Sequence, residues 1–419
     1  MKVLVIGGGS KEHAIVWRLS QSRHVNKIYC CPGNAGIAEK AEIIDAPPDD
    51  FNTLIDFVKY EWIDLTVADN PELLWRGVVD TFRREGCSIF GAHKSAARLS
   101  SSRVFAKDFM RLHGIPSAEY RAFSSYIQAE DFVRLKGAPI VIKADGRSPK
   151  GDTFFAPTVD IARDVLNRIL QDKVLGEAGR QIIIEERIQG DRLSILAVTD
   201  GVTILPFASL LVYRSAGSAD GSTFIDIGAR SPAISVGPEL ELEIRGKILK
   251  PLLKALQSGG LTYKGMVSAD IVVRNGAPFV FDLNCCFQGL EAQTVLPRLR
   301  TDYVEIVSAA MKERLSEMPI ELSHESSFCV EVSKKSGRLH RELVGVSGLD
   351  KIRDREDVMV FHENTFFENH DVVAPEGRVM CVTAWGGDMR QAATKAFQAA
   401  EQIQFKGMYY SKDMGKEIS

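Results

Sequence analysis

Asp270, Asp282 and Asn284 are the residues of this 419-residue chain whose types and spacing point most directly to chemistry. Asp282 and Asn284 close the apolar run Pro278-Phe279-Val280-Phe281, and Asp270 is the single acid in the run from Met266 to Val273. Side chains two apart on a strand share a face, so Asp282 and Asn284 point the same way. A hairpin turn at Arg274-Asn275-Gly276-Ala277 would lay Asp270 alongside them. Two carboxylates and an amide oxygen are hard ligands, and so small a set of protein oxygens suits a magnesium ion shared with phosphates. The arrangement predicts an enzyme acting on a nucleotide.

Other residues fit that chemistry. Lys143 lies inside the apolar strand Pro139-Ile140-Val141-Ile142-Lys143, and a buried lysine must find an anion to offset the loss of its hydration. An ATP phosphate is the expected partner; the alternative is a lysine snorkelling from an edge strand. The run Ile182-Ile183-Ile184 ends in Glu185-Glu186, with Asp191 close behind, and acids there can accept protons from an adenine amine and ribose hydroxyls. The segment Gly7-Gly8-Gly9-Ser10-Lys11-Glu12-His13, between a strand and a helix, can hold an anion on free helix-start amides. It departs from the dinucleotide fingerprint, because Glu12 replaces the third glycine. A sugar phosphate near Gly7 to Lys11 and Gly33 to Gly36 is the expectation, with a purely structural tight turn as the alternative. His13 reads as a packed or capping residue.

These residues need a frame. Up to about residue 90, strands at Val3 to Ile6, Lys27 to Cys31, Leu65 to Ala68 and Ser88 to Phe90 alternate with helices at Glu12 to Ser20, Phe51 to Tyr60 and Gly77 to Glu85. That alternation predicts a doubly wound parallel sheet. One helix is expected over Ser95 to His113, ending at Gly114-Ile115-Pro116. Strands Ile140 to Lys143 and Gln181 to Glu185 flank a helix from Asp160 to Leu170. Tyr213 to Ile227 lacks apolar periodicity and reads as a long loop. A helix over Glu239 to Leu256, kinked at Pro251, leads into the carboxylate strands. From Phe328 a small α+β unit follows, with a last helix over Met389 to Ile403.

With 52 basic and 55 acidic residues and a net charge of -3, the chain carries no electrostatic footprint for nucleic acid or an anionic membrane. Small-molecule substrates are the expected partners. The apolar start Val3 to Ile6 is too short for a signal-peptide core, and no apolar run could span a bilayer, so a cytoplasmic address is expected. The seven cysteines have no CxxC spacing; they read as small buried residues, with Cys285 and Cys286 as candidates for a functional thiol.

Lys143, Glu185-Glu186, Asp270 and Asp282-x-Asn284 in this order resemble an ATP-grasp ligase. More closely, VLVIGGGSKEHA from Val3, PGNAGIA from Pro32, FAKDFMRLHGIP from Phe105, GAPIVIKADG from Gly137, IIIEERIQG from Ile182 and GRVMCVTAWGG from Gly377 resemble the glycinamide ribonucleotide synthetase family over nearly the whole length. The resemblance implies an α/β chain: a doubly wound N-terminal domain over 1–100, a two-part ATP-grasp body over 101–327 with a lid at about 120–190, and a small α+β C-terminal domain over 328–419. It implies ATP and Mg2+, with Mn2+ as an alternative metal, and a chain acting as a monomer or homodimer. The implied reaction phosphorylates glycine and passes the acyl group to 5-phosphoribosylamine.

On this resemblance Arg103, Lys143, Glu185, Glu186 and Asp191 meet ATP, while Gly8, Gly9, Lys11 and Asn34 meet the sugar phosphate. Asp270, Asp282 and Asn284 hold metal, and Arg214 and Glu291 serve catalysis. The chain departs from the family pattern in several places. Ser102-Arg103 replaces Ser-Lys, and Arg147-Ser148-Pro149 replaces a glycine-rich flap. Leu210 to Ala229 has no counterpart of the DHKR and GPNTGGMG segments, Arg214 standing for one cation. Asp282 replaces a glutamate and Cys286 an arginine; Gly289-Leu290-Glu291 replaces DPE; Asp69-Asn70-Pro71-Glu72-Leu73 replaces GPEAP. The changes fall on glycine and acyl-phosphate handling. A ligase with a changed substrate, or a non-catalytic nucleotide-binding relative, are the alternatives.

Overall fold

A computed structural model describes residues 1–148, 151–216, 224–233, 236–335 and 343–415. The N-terminal unit is a five-stranded parallel sheet in the order Glu42–Ile43, Lys27–Pro32, Lys2–Gly7, Leu65–Ala68, Ile89–Phe90. Its central strand is buried from Val3 to Gly7, as both faces carry helices. The loops after the strands ending at Gly7, Pro32 and Ala68 meet at one edge, where doubly wound sheets bind ligands. The first helix starts at Ser10, earlier than Glu12, because the Glu12 carboxylate folds back on the Gly9 amide at 3.0 Å.

The helix expected over Ser95 to His113 is two helices, Lys94–Ser101 and Arg103–Leu112. Ser102 breaks it with extended backbone, and its hydroxyl accepts from the Phe105 amide and donates to Asp145. The break delivers Arg103 into the interior.

Residues 120–186, where a lid is expected, carry their own antiparallel sheet, in the order Tyr120–Phe123, Ile182–Glu186, Ile140–Ala144, Thr153–Ala156. Helices Tyr126–Lys136 and Val159–Leu166 cover it, and Val133, Ile142, Phe154, Leu166 and Ile184 share a separate apolar core.

The largest sheet has nine strands. Eight follow the order Ala277–Asn284, Gly265–Arg274, Asp191–Thr199, Ile204–Ala216, Phe224–Ser231, Ser326–Lys334, Gly377–Gly386, Val358–His362, and Met408–Tyr409 pairs beside Ser326–Lys334. The expected loop over Tyr213 to Ile227 is therefore strand from Tyr213 to Ala216 and from Phe224 to Ile227, while 217–223 lie outside the described residues. Apolar alternation is missing there because the strands are held by cross-strand polar pairs, Arg214 standing opposite Asp226. The sheet also runs through the proposed boundary at 327/328, since Phe224–Ser231 pairs with Ser326–Lys334. Ahead of the hairpin, Pro238–Ile244 and Lys250–Ser258 are helical. Between them Arg245–Leu249 runs on without a break as a π-helix, so the widened turn falls directly ahead of Pro251, which has no N–H to give the preceding turn. The last helix is Met389–Ala400, ending before Ile403.

Candidate active site between the lid and the carboxylate hairpin

Asn275 and Gly276 both have positive φ, +53° and +77°, the requirement of the tight turn that joins Gly265–Arg274 to Ala277–Asn284. The pairing sets Asp270 opposite Asp282, and Ser268 opposite Asn284. Each proposed ligand is already engaged by a protein cation. Asp270 accepts from the Ser194 hydroxyl and from Arg192 and Arg214, each 3.3 Å away. Asp282 lies 3.2 Å from Lys143 Nζ and 3.8 Å from Arg103 Nε. The Asn284 amide oxygen accepts from Arg147.

The charges explain the ionisation. Burial opposes it at Asp282, but Lys143, Arg103, Arg147 and Arg192 together hold that carboxyl well below the usual carboxylate range. Burial likewise opposes ionisation at Asp270, and Arg214 and Arg192 outweigh it.

Lys143 is wholly buried on its lid strand. Its Nζ donates to the Phe281 carbonyl at 2.8 Å, stands 3.3 Å from Glu185 and lies 3.4 Å from the centre of the Phe281 ring. Glu185, also buried, is shared with Lys107 at 3.3 Å. Arg103 donates to Asp152 at 2.7 Å and to the Ala144 carbonyl at 3.1 Å. Lys143, Glu185 and Arg103 thus tie lid to body, so the side chains expected to meet phosphates (Lys143, Arg103) and the nucleoside (Glu185) are already held in ion pairs.

A cavity of about 280 Å³ opens beside this network, between lid and hairpin. Val141, Phe155, Val272, Phe279 and Phe281 give it apolar walls, and Glu186, Arg187 and Arg192 give it polar edges. An apolar slot with a few polar edges suits a flat heterocycle. Asp191 does not line it: it is exposed at the start of its strand, and alternation turns the next residue, Arg192, inward. Sequence reading named neither Arg192 nor Arg147 as a site residue. The signal for Arg192 was its parity with Ser194 on one strand face; nothing local pointed from Arg147 to Asn284.

Arg214 bridges Asp226 at 2.9 Å and Asp270. Glu291 is buried, accepts from the Ser268 hydroxyl and the Gln288 amide, both at 2.7 Å, and is pushed up to about 8 by burial and by the charge of Asp270. Cys285 and Cys286 are buried free thiols, and burial pushes Cys285 up to about 11 and Cys286 higher, so neither is a ready nucleophile.

At the glycine loop the expected phosphate contacts have protein partners. Lys11 Nζ meets the Asp69 carbonyl and stands 3.2 Å from its carboxylate. Asn34 donates to the carbonyls of Gly8 at 2.8 Å and His362 at 2.7 Å and accepts from the Ile37 amide. A Cβ on Gly8 would lie 2.5 Å from the Gly33 carbonyl oxygen, so glycine there serves the approach of two loops. The Gly9 amide is taken by Glu12.

A divalent cation can be tested against this donor set. Asp282 and Asn284 fit, as hard oxygens on one face of the hairpin strand, provided that Arg147 moves off the amide oxygen. Asp270 does not fit as it stands, because its oxygens already hold a hydroxyl and two guanidinium groups.

Comparison with known proteins gives a consistent result along the chain. Residues 1–100, 101–292 and 341–417 match the N, ATP-grasp (A) and C domains of phosphoribosylglycinamide synthetase. Phosphoribosylamine--glycine ligase of Caldanaerobacter subterraneus is 36% identical over 99% of both chains, and that of Vibrio parahaemolyticus is 34% identical over 99% of this chain and 98% of its own. The crystal structure of the enzyme of that name from Thermotoga maritima shares the fold with a TM-score of 0.83 at 20% identity, covering 99% of this chain and 100% of the other. Biotin carboxylase from Campylobacter jejuni follows at 0.70 and 13%, covering 98% and 93%. On these matches the chain belongs to the phosphoribosylglycinamide synthetase family of ATP-grasp enzymes.

Proposed function

We propose that the chain is an ATP-dependent phosphoribosylamine-glycine ligase of purine biosynthesis, acting in the cytoplasm as a monomer or homodimer. The observation that carries this reading is the 34% to 36% identity, over nearly the full length, to relatives of that name. No described helix is long and apolar enough to cross a membrane.

In this reading the adenine lies in the cavity beside Glu186 and Phe281, and the phosphates run toward Lys143, Arg103 and Arg147. Asp282 and Asn284 hold Mg2+ or Mn2+, which when bound neutralises phosphate charge. Asp270 fixes Arg192 and Arg214 so that Arg214 can meet the carboxylate of glycine. Glu291, through Ser268 and Gln288, positions the segment that follows Asn284. A glycine carboxylate oxygen takes the γ-phosphoryl group and ADP leaves. The amine nitrogen then attacks the carbonyl carbon, inorganic phosphate leaves and the nitrogen gives up a proton. Positioning and electrostatics do most of this work, and no protein nucleophile is needed.

The occupation of Asn284 by Arg147 favours a second reading, a nucleotide-binding relative without turnover. Release of ADP and phosphate, measured with freshly made 5-phosphoribosylamine and a panel of amino acids, separates the readings. Turnover with glycine supports the ligase; turnover with another acid alone indicates a changed substrate; ATP-analogue binding with no turnover supports the second reading.

A further inference from the structure

The start of the first helix is an anion site by its physics: free amides and the positive end of a ten-residue helix face one point. In this chain an internal anion sits there. Glu363, from the loop after Val358–His362, accepts from the Ser10 amide at 2.7 Å and from the Ser10 hydroxyl. A Cβ on Gly9 would lie 3.2 Å from the same carboxylate, which places it directly over the glycine loop. With Glu12 on the Gly9 amide, both leading donors of the helix are taken.

The surroundings add acceptors. Gln293 is fully buried and donates to Ser10 Oγ at 2.7 Å, while its own amide oxygen has no hydrogen-bond partner. Glu12 Oε1, also buried, has no hydrogen-bond partner and only a 3.5 Å ion pair with Lys11. Unmet buried acceptors call for hydroxyl or amine protons. A phosphate brought here would face the carboxylates of Glu363 and Glu12.

We infer that Glu363 is a specificity-determining residue: its carboxylate fills the anion position at the start of the first helix, so this loop receives the hydroxyl-bearing part of the amine substrate and excludes the phosphate. The inference rests on the proposed function for the identity of the amine, and the occupied loop is independent of it. The arrangement differs from the sugar-phosphate contact that the glycine loop predicts.

The test is calorimetry on the full chain with inorganic phosphate, D-ribose and D-ribose 5-phosphate. Glu363→Ala is expected to bind inorganic phosphate on the order of tenfold more tightly than the unaltered protein. Glu363→Gln, which keeps an oxygen for the Ser10 amide, should gain less and guards against misfolding of the alanine variant; melting temperatures are read for both. In the unaltered protein ribose should bind as well as ribose 5-phosphate. Equal phosphate affinity in the unaltered protein and both variants, including no binding in any, overturns the inference. So does ribose 5-phosphate binding that is clearly tighter than ribose and displaced by inorganic phosphate. ATP-analogue binding, measured separately, bears on the proposed ligase alone, so the two failures remain distinguishable.

Discussion

Lys143 Nζ stands 3.2 Å from Asp282 Oδ1, a contact that joins the lid strand Ile140–Ala144 to the hairpin strand Ala277–Asn284 across a wholly buried lysine. The same ammonium neutralises Glu185. A residue chosen from sequence for its reach toward ATP is therefore also a fastener between two bodies.

Lys143→Met should leave Asp282 and Glu185 short of a cation and destabilise the protein by about 3–5 kcal/mol, the usual consequence of breaking a buried pair. Urea unfolding measures it. Adding Glu185→Gln should recover part of the loss; no recovery would show that the pair is not coupled.

Asp270 and Asp282 should separate by metal dependence. Asp282→Asn is expected to weaken magnesium-dependent binding of an ATP analogue on the order of tenfold or more, whereas Asp270→Asn should lower stability by releasing Arg192 and Arg214 and leave the magnesium dependence in place. Calorimetry with and without magnesium checks it, and equal loss of that dependence in both variants would restore Asp270 to the ligand set.

His13 and His362 face one another where the first helix meets the C-terminal unit, with rings 5.6 Å apart. Burial lowers His362 to about 4, and burial with the charge of His362 lowers His13 below its ordinary value. The unfolded chain binds more protons than the folded one between about pH 4 and the ordinary histidine value near 6.5, so stability rises with pH in that window and is lost on acidification. Each histidine contributes at most about 1.4 kcal/mol per pH unit there. His362→Gln should flatten the acid side of a plot of unfolding free energy against pH.

Glu291 has the opposite sign. Its carboxyl is held up near 8, so its favourable contribution is complete below the ordinary glutamate range and fades as pH rises toward 8. Glu291→Gln, a neutral isostere, should remove this decline and leave the melting temperature at pH 5 close to unchanged. A decline that persists in the variant would assign it elsewhere.

The hairpin was legible because Asn-Gly demands one turn and the alternation around Asp282 demands one face. The parallel N-terminal sheet was legible for the same kind of local reason. What escaped was set by register between distant strands. Arg192 reaches Asp270 because Ser194 pairs with Asp270; Arg214 and Asp226 disguise two strands as a loop; and Glu363 meets Ser10 across 353 positions. The family pattern marked where residues had changed, but their new partners appear only when the strands are laid side by side.

The pairing of Gly228 to Ser231 with Ser327 to Val330 has a consequence for how the protein can be divided. A fragment ending before Ser326 would present the backbone of Gly228 to Ser231 as a raw edge, open to any passing strand and prone to self-association. Arg214 reaches its partners from the strand just inside that edge. Removing the C-terminal unit would thus loosen a guanidinium of the candidate site through the sheet itself, so the unit serves as the body's selvedge as well as a covering for the first helix.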